Sequence, residues 1–196
     1  MNRIYHVLNE LIPADDVVGM LTGAGSPWSD LRLEAQMREI NPVLRTALFN
    51  AAGSSTTVSL VADDTAQTLY LAIEGDDAEE VHALGYLAKV RLPVASFDQL
   101  LREASDRYQA EPHRLIRLVL GTTAVPNRET LDLLERAAVD PEPAVRKAAI
   151  NALGLTQWAS ALDPLHDRTA NDPERELREF AKRTLHSLRL ALGMER

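Results

Sequence analysis

The chain has 196 residues, no cysteine and a formal net charge of −8, with 45% hydrophobic and 5% aromatic residues. This hydrophobic content is enough for a buried core, whereas the lack of cysteine excludes disulfides, thiolate catalysis and cysteine-ligated zinc. The first 100 residues contain 14 acids against 6 Lys and Arg, and the remainder contains 15 of each, so the composition argues against a nucleic-acid partner.

The first 40 residues predict an atypical helical cap. Ile4, Val7, Leu8 and Leu11 recur at helical spacing, and LTGAGSPWSD (21–30) is typical of a loop. The segment contains no apolar run long enough for a signal peptide, and no part of the chain has 18 consecutive apolar residues. We therefore expect a cytoplasmic protein that does not bind a membrane.

The segment 44–53, LRTALFNAAG, has the same letter as 145–154, VRKAAINALG, at five of ten positions. This similarity predicts the same helix twice. Asn41 and Pro42 would cap the first copy and occupy its first position, and Gly53 and Gly154 would adopt a left-handed conformation after each helix.

The next two segments have conflicting patterns. STTVSLVADD (55–64) is rich in β-branched residues and suits a strand, but we leave it open as helix or strand. AQTLYLAIEG (66–75) places Ala66, Leu69, Tyr70 and Ile73 at helical spacing, which predicts a helix.

Two polar segments predict helix starts. The acidic run EGDDAEE (74–80) is interpreted as N-terminal capping before Val81, because it lacks the loop spacing of an EF-hand calcium site. Ser96 and Gln99 have the spacing of a capping box.

The segments DPEPAVRKAAINALG (140–154) and DPERELREFAKRTL (172–185) share an Asp-Pro-Glu start and a later Arg. Asp140 and Asp172 are predicted N-caps, with Pro141 and Pro173 at the first helical position. The spacing of the apolar residues on the first of these helices predicts one buried face, formed by Val145, Ala149, Ala152 and Leu153.

Apolar reference residues recur at intervals close to the length of one helix pair. They are Leu44, Val81, Leu115, Val145 and Leu177, with spacings of 37, 34, 30 and 32 residues. These segments resemble HEAT repeats, specifically the HEAT-like repeat of the phycobilisome-lyase type. The resemblance implies an all-α, right-handed α-solenoid of about five helix pairs, in which second helices line the concave side. Residues 1–40 would be the cap, and 41–196 one continuous solenoid domain.

The sequence lacks the motif spacings that catalysis, metal binding and cofactor binding require. The five histidines form no metal-ligand spacing, and no Ser lies in a G-x-S-x-G motif. We therefore expect no metal, no cofactor and no enzymatic activity. Trp158 and Asp163 would suit the groove of a HEAT-like DNA glycosylase, but a loop Trp more commonly covers a core.

A basic stripe is predicted on the last helix, with successive steps of 3, 4, 4, 3 and 7 residues. It either keeps the terminal helix soluble or binds an acidic partner. Further candidate binding positions lie two or six residues after each apolar reference. The stripe is Arg175, Arg178, Lys182, His186, Arg189 and Arg196, and the further positions are Asn50, Lys147, Asn151, Glu179 and Arg183.

The sequence thus predicts a non-catalytic scaffold that binds another protein, possibly an acidic one, on the concave face of a short solenoid. The alternative is a HEAT-like enzyme or nucleic-acid processor, similar to DNA glycosylases or chromophore lyases. The alternative rests on analogy of fold alone.

Overall fold

The structure is a computed structural model that describes residues 2–9, 12–22, 36–41, 44–50, 55–122 and 125–194. It divides into two compact units, Met1–Ala95 and Ser96–Arg196. The division follows residue 95, whereas the sequence predicted a boundary after residue 40. The reason is that the residues on both sides of position 40 belong to one β-sheet.

In its described residues, the first unit combines a five-stranded antiparallel sheet with two helices. The spatial order of the strands is β1-β5-β4-β3-β2. The elements are β1 (Asn2–Val7), α1 (Ala14–Thr22), β2 (Gln36–Asn41), β3 (Leu44–Asn50), β4 (Thr57–Asp63), β5 (Thr68–Gly75) and α2 (Ala78–Arg91).

The core of this unit lies between one face of the sheet and the two helices. Val58 of β4 is paired with Ile73 of β5, and Leu60 is paired with Leu71, so every second residue points the same way. These four side chains are buried. They belong to one core cluster with residues of both helices, which include Val17, Leu21, Val81 and Leu84.

The all-α prediction is therefore wrong for the first unit. The segment 44–50, expected as a repeat helix, is strand β3, and Asn50 consequently lies at the end of a strand. Residues 57–63 are a strand, and the predicted helix over 66–73 is mostly β5. The residues from Ile4 to Val7 are in β1 rather than in a helix.

Non-local pairing explains these differences. Strand β3 is hydrogen-bonded to β2 on one side and to β4 on the other, so its backbone groups are satisfied by neighbours rather than within a helix.

Several predicted features lie outside the described residues, namely Leu11, Pro42, Gly53, Arg196 and positions 23–30 of the predicted loop.

The second unit is helical. Its helices are α3 (Phe97–Arg107), α4 (His113–Leu120), α5 (Arg128–Ala137), α6 (Pro143–Leu155), α7 (Leu162–Asn171) and α8 (Arg175–Ala191), with a short 3-10 turn (Ala159–Ala161) before α7.

The helices of the second unit pack in two layers. The second helices α4, α6 and α8 stack in sequence, and α3, α5 and α7 each pack against the second helix that follows them. The Ser96 hydroxyl accepts from the Gln99 amide and caps α3, as predicted. The Asn127 side chain accepts from the Thr130 amide and caps α5, which was not predicted. In the first unit, Asp77 caps α2 in the same manner.

The predicted buried face of α6 is confirmed. Val145, Ala149, Ala152 and Leu153 have no exposed surface. Gly154 has a different role from the predicted left-handed cap, because it lies inside α6. A Cβ at this position would overlap the Thr184 side chain of α8, so the glycine permits close approach of two helices.

Enlarging the buried face of α6 should destabilise the second unit. Ala149→Leu adds three carbons at a position without exposed surface, and we expect it to lower the free energy of unfolding by about 1–3 kcal/mol. The exposed Ala144→Leu on the same helix is the matched control. Chemical denaturation of both variants measures the effect, and equal stability would show that Ala149 is not packed.

Acid should destabilise the first unit through His6. Its side chain is buried, and its Nε2 has no hydrogen-bond partner among the residues that the structure describes. Burial lowers its pKa to about 4, with a smaller contribution from Lys89. The unfolded chain binds this proton near pH 6.5 and the folded chain only near pH 4. The folded state therefore loses stability as the pH falls through this window, by up to about 3 kcal/mol.

The variant His6→Leu removes the titrating ring. We expect its unfolding free energy to fall less steeply between pH 6.5 and pH 4 than that of the wild type. Parallel slopes, measured by urea unfolding across this range, would contradict the burial of a neutral His6.

Candidate functional site

The loops that precede α6 and α8 have the same hydrogen-bonding pattern. The Asp140 Oδ1 atom accepts from the Glu142 amide at 2.9 Å, and the Asp172 Oδ1 atom accepts from the Glu174 amide at 3.0 Å. Both carboxylates thus accept from backbone amides, but neither residue is the predicted N-cap, because Glu142 and Glu174 occupy that position. The helices begin two residues later than expected, at Pro143 and Arg175, so Pro141 and Pro173 lie in the loops.

Arg146 connects these two loops. Its Nη1 donates to the carbonyls of Asp140 at 3.0 Å and Pro141 at 2.9 Å. Its Nε and Nη2 donate to the two carboxylate oxygens of Asp172, at 2.9 and 3.3 Å. Arg146 is 4% exposed and Asp172 is 2% exposed, so this bidentate pair is largely shielded from water.

Arg178 repeats half of this arrangement. Its Nη1 donates to the carbonyls of Asp172 at 2.6 Å and Pro173 at 3.1 Å. No carboxylate in the described part of the chain forms an ion pair with it. We refer to Asp140, Arg146, Asp172 and Arg178 as the Asp–Arg ladder. One residue of the predicted basic stripe therefore has a structural role within its own repeat.

A third arginine with the same sequence spacing from an acidic residue was missed in the sequence. Glu111 and Arg117 are six residues apart, as are Asp140 and Arg146, and a proline follows Glu111 as it follows Asp140. The Arg117 side chain is 2% exposed, and its Nη1 lies 3.6 Å from the Glu103 carboxylate. The Glu-Pro start and the six-residue spacing were the signals that could have identified this copy.

The other predicted site residues lie on α6 and α8, except Asn50. Asn50 is in the first unit, on strand β3, so the prediction that it occupies a second helix is wrong. On α6, Lys147 is exposed and Asn151 is half-buried. On α8, Arg175, Glu179, Lys182 and Arg183 are exposed, and Arg189 is half-buried.

Two of the α8 cations have neighbours on their own helix. Lys182 Nζ lies 2.8 Å from Glu179 Oε1, and this hydrogen bond lowers the pKa of the Glu179 carboxyl. The Arg183 guanidinium lies 5.9 Å from the centre of the Phe180 ring. The surface of α8 thus presents fixed charges of both signs rather than a uniformly basic stripe.

The described residues contain no group of three or more His, Asp or Glu side chains that could hold a metal ion. No helix among them is long and apolar enough to cross a membrane. Trp158 is 1% exposed, so its ring belongs to the core and does not line a groove for a flipped base.

Comparison with known proteins identifies the class of the second unit. Residues 94–186 match the family model for HEAT repeats, over a range that includes all of α3 to α7 and most of α8. This part of the chain, slightly less than half of its length, is therefore similar to HEAT repeats, which commonly serve as protein-interaction scaffolds. No curated protein and no solved structure matches the chain.

Breaking the Asp–Arg ladder should destabilise the repeats. Asp172→Ala leaves the Arg146 guanidinium buried without its carboxylate, and we expect the unfolding free energy to fall by about 3–5 kcal/mol. Glu179→Ala is the control, because it removes a carboxylate from an exposed ion pair and should change stability little. If thermal unfolding shows similar small effects for both variants, the Arg146–Asp172 pair does not hold the repeats together.

Proposed function

We propose that the protein is a non-catalytic scaffold that binds another protein through the exposed side of α6 and α8. The observation that carries this proposal is the difference between the two faces of each of these helices. One face of each helix is buried in the repeat core, and a second face carries polar residues that are exposed or, at Asn151, half-buried. We refer to Lys147, Asn151, Glu179 and Arg183 as the second-helix surface.

Equivalent positions of successive repeats form this surface. Lys147 and Glu179 each lie two residues after a buried reference residue, and Asn151 and Arg183 lie six residues after it. Because α6 and α8 stack, these four residues are placed on neighbouring helices at matching positions. Such an array suits recognition of an extended protein segment by polar contacts along its length.

The chemistry of the second-helix surface favours a partner with acidic residues. Lys147 makes no hydrogen bond or ion pair with any residue that the structure describes, and the Arg183 guanidinium lies 5.9 Å from the centre of the Phe180 ring. Both cations are therefore available to carboxylates. We further propose that this surface lies on the concave side of a right-handed stack, as the similarity to the phycobilisome-lyase type of repeat implies, and that the protein works in the cytoplasm.

The proposal is tested by affinity capture and mass spectrometry with charge-reversed variants. We expect the double variant Lys147→Glu/Arg183→Glu to lose proteins that the wild type enriches, because repulsion replaces attraction. The loss should be specific to the second-helix surface. Arg136→Glu is the matched control, since Arg136 is an exposed cation on the first helix α5.

Circular dichroism and thermal unfolding must show that all three proteins are folded. Equal capture by the wild type and the double variant would contradict binding through this surface. Loss of capture by Arg136→Glu to the same extent would show that net charge, rather than position, determines recovery.

A further inference from the structure

We infer that α6 binds one extended segment of the partner protein, in which an acidic and an apolar side chain lie four positions apart. The second-helix surface also carries the proposed function, on which this inference rests. The conformation and the chemistry of the bound segment are what it adds. Three side chains of α6 are involved, namely Lys147, Asn151 and Leu155.

These three side chains form one row along α6. They follow one another at steps of four residues, and each step turns about 40° around a helix, so the row covers about 80° of the helix circumference. Lys147 is exposed, Asn151 is half-buried and Leu155 is 44% exposed. The core residues Val145 and Ala149 lie on the other side of the helix. A single segment that lies along α6 can therefore contact the whole row.

The surface beside this row is low enough to admit a main chain. Ala144 is exposed and Ala148 is half-buried, and neither has a side chain beyond Cβ. The equivalent positions of α8, which are 32 residues later, carry the larger Glu176 and Phe180. Because α6 stacks against α8, the short side chains of α6 leave a shallow channel beside the larger ones of α8.

Asn151 favours an extended segment over a helical one. Its carboxamide makes no hydrogen bond with any residue that the structure describes, and it offers both a donor and an acceptor. A peptide group has the complementary pair, an N–H and a C=O. These groups are free in an extended segment, whereas a helix uses them internally. Asn151 lies in the middle of the row, where it can bind the main chain between two side-chain contacts.

The two ends of the row determine which side chains the segment carries. Lys147 has no ion pair among the described residues and suits a carboxylate, whereas Leu155 suits an apolar side chain. Leu155 lies eight positions after Lys147, which is about 12 Å along the helix. An extended chain rises about 3.3 Å per residue and alternates its sides, so residues four apart span about 13 Å and face the same way.

Titration of the ¹⁵N-labelled full chain with short synthetic peptides, followed by NMR, tests this inference. The peptides consist of Gly and Ser with one Glu and one Leu four positions apart, in both orders. We expect one order to shift amide signals of α6 at millimolar peptide. Replacing Glu by Gln, Leu by Ser, or the glycines by N-methylglycine should each weaken binding about threefold or more, because each change removes one contact.

Variants of the protein locate the contacts. Lys147→Gln, Asn151→Ala and Leu155→Ser should each weaken binding of the same peptide to a similar extent. Leu190→Ser is the matched control, since Leu190 is 46% exposed on α8 and lies outside the row. It should leave binding unchanged. The spectrum of each free variant shows whether it is folded, and these exposed or half-buried positions should tolerate the changes.

Four results would overturn the inference. They are the absence of shifts in α6, equal binding of the peptide that lacks Leu, an effect of Leu190→Ser as large as that of Leu155→Ser, and tighter binding of an Ala-rich helical peptide with Glu and Leu seven positions apart. If the peptides fail while charge reversal at Lys147 and Arg183 still abolishes capture, the proposed function stands without an extended segment. If both experiments fail, neither proposal stands.

Discussion

The buried ion pair between Arg146 and Asp172 is the interaction on which the repeat unit depends. The two residues are 26 positions apart, and the guanidinium reaches from the start of α6 to the loop that precedes α8. Because this Arg also binds the carbonyls of its own loop, one side chain fixes both loops at once. The stacking of α6 on α8 then follows, with Gly154 permitting the close approach.

Burial makes this pair decisive for stability. A guanidinium and a carboxylate that leave water lose their hydration, and they regain that free energy only if nearly every donor and acceptor is used. Arg146 meets the condition with four hydrogen bonds, and Asp172 meets it with two to Arg146 and one to a backbone amide. The hydrogen bonds of Arg146 and Asp172 therefore define the geometry of the two loops.

The sequence predicted local features well and non-local ones poorly. Asp140 and Asp172 were correctly placed close to helix starts because this signal depends on neighbours within a few positions, although the N-caps are Glu142 and Glu174. The bridge from Arg146 to Asp172 was missed, since nothing within the motif itself indicates a partner in the next repeat. Of the candidate residues, Lys147 and Arg183 are exposed as predicted, while Arg178 is engaged with its own loop.

The error in the first unit has the same origin. LRTALFNAAG resembles the α6 sequence at five of ten positions, yet residues 44–50 form a strand because β2 and β4 pair with it on both sides. In β5 the alternation of Leu69, Leu71 and Ile73 was the better signal. Short apolar runs fit both the two-residue period of a strand and the 3.6-residue period of a helix. Pairing with neighbouring strands decides which of the two forms.

A double-mutant cycle on Arg146 and Asp172 tests the central claim most directly. Arg146→Met, Asp172→Ala and the double variant are compared with the wild type by urea unfolding. The pair interacts through two hydrogen bonds in a shielded position, so we expect the two substitutions to be non-additive, with a coupling free energy of about 1–3 kcal/mol. Additive effects, with a coupling free energy near zero, would show that the two loops are not joined through this pair.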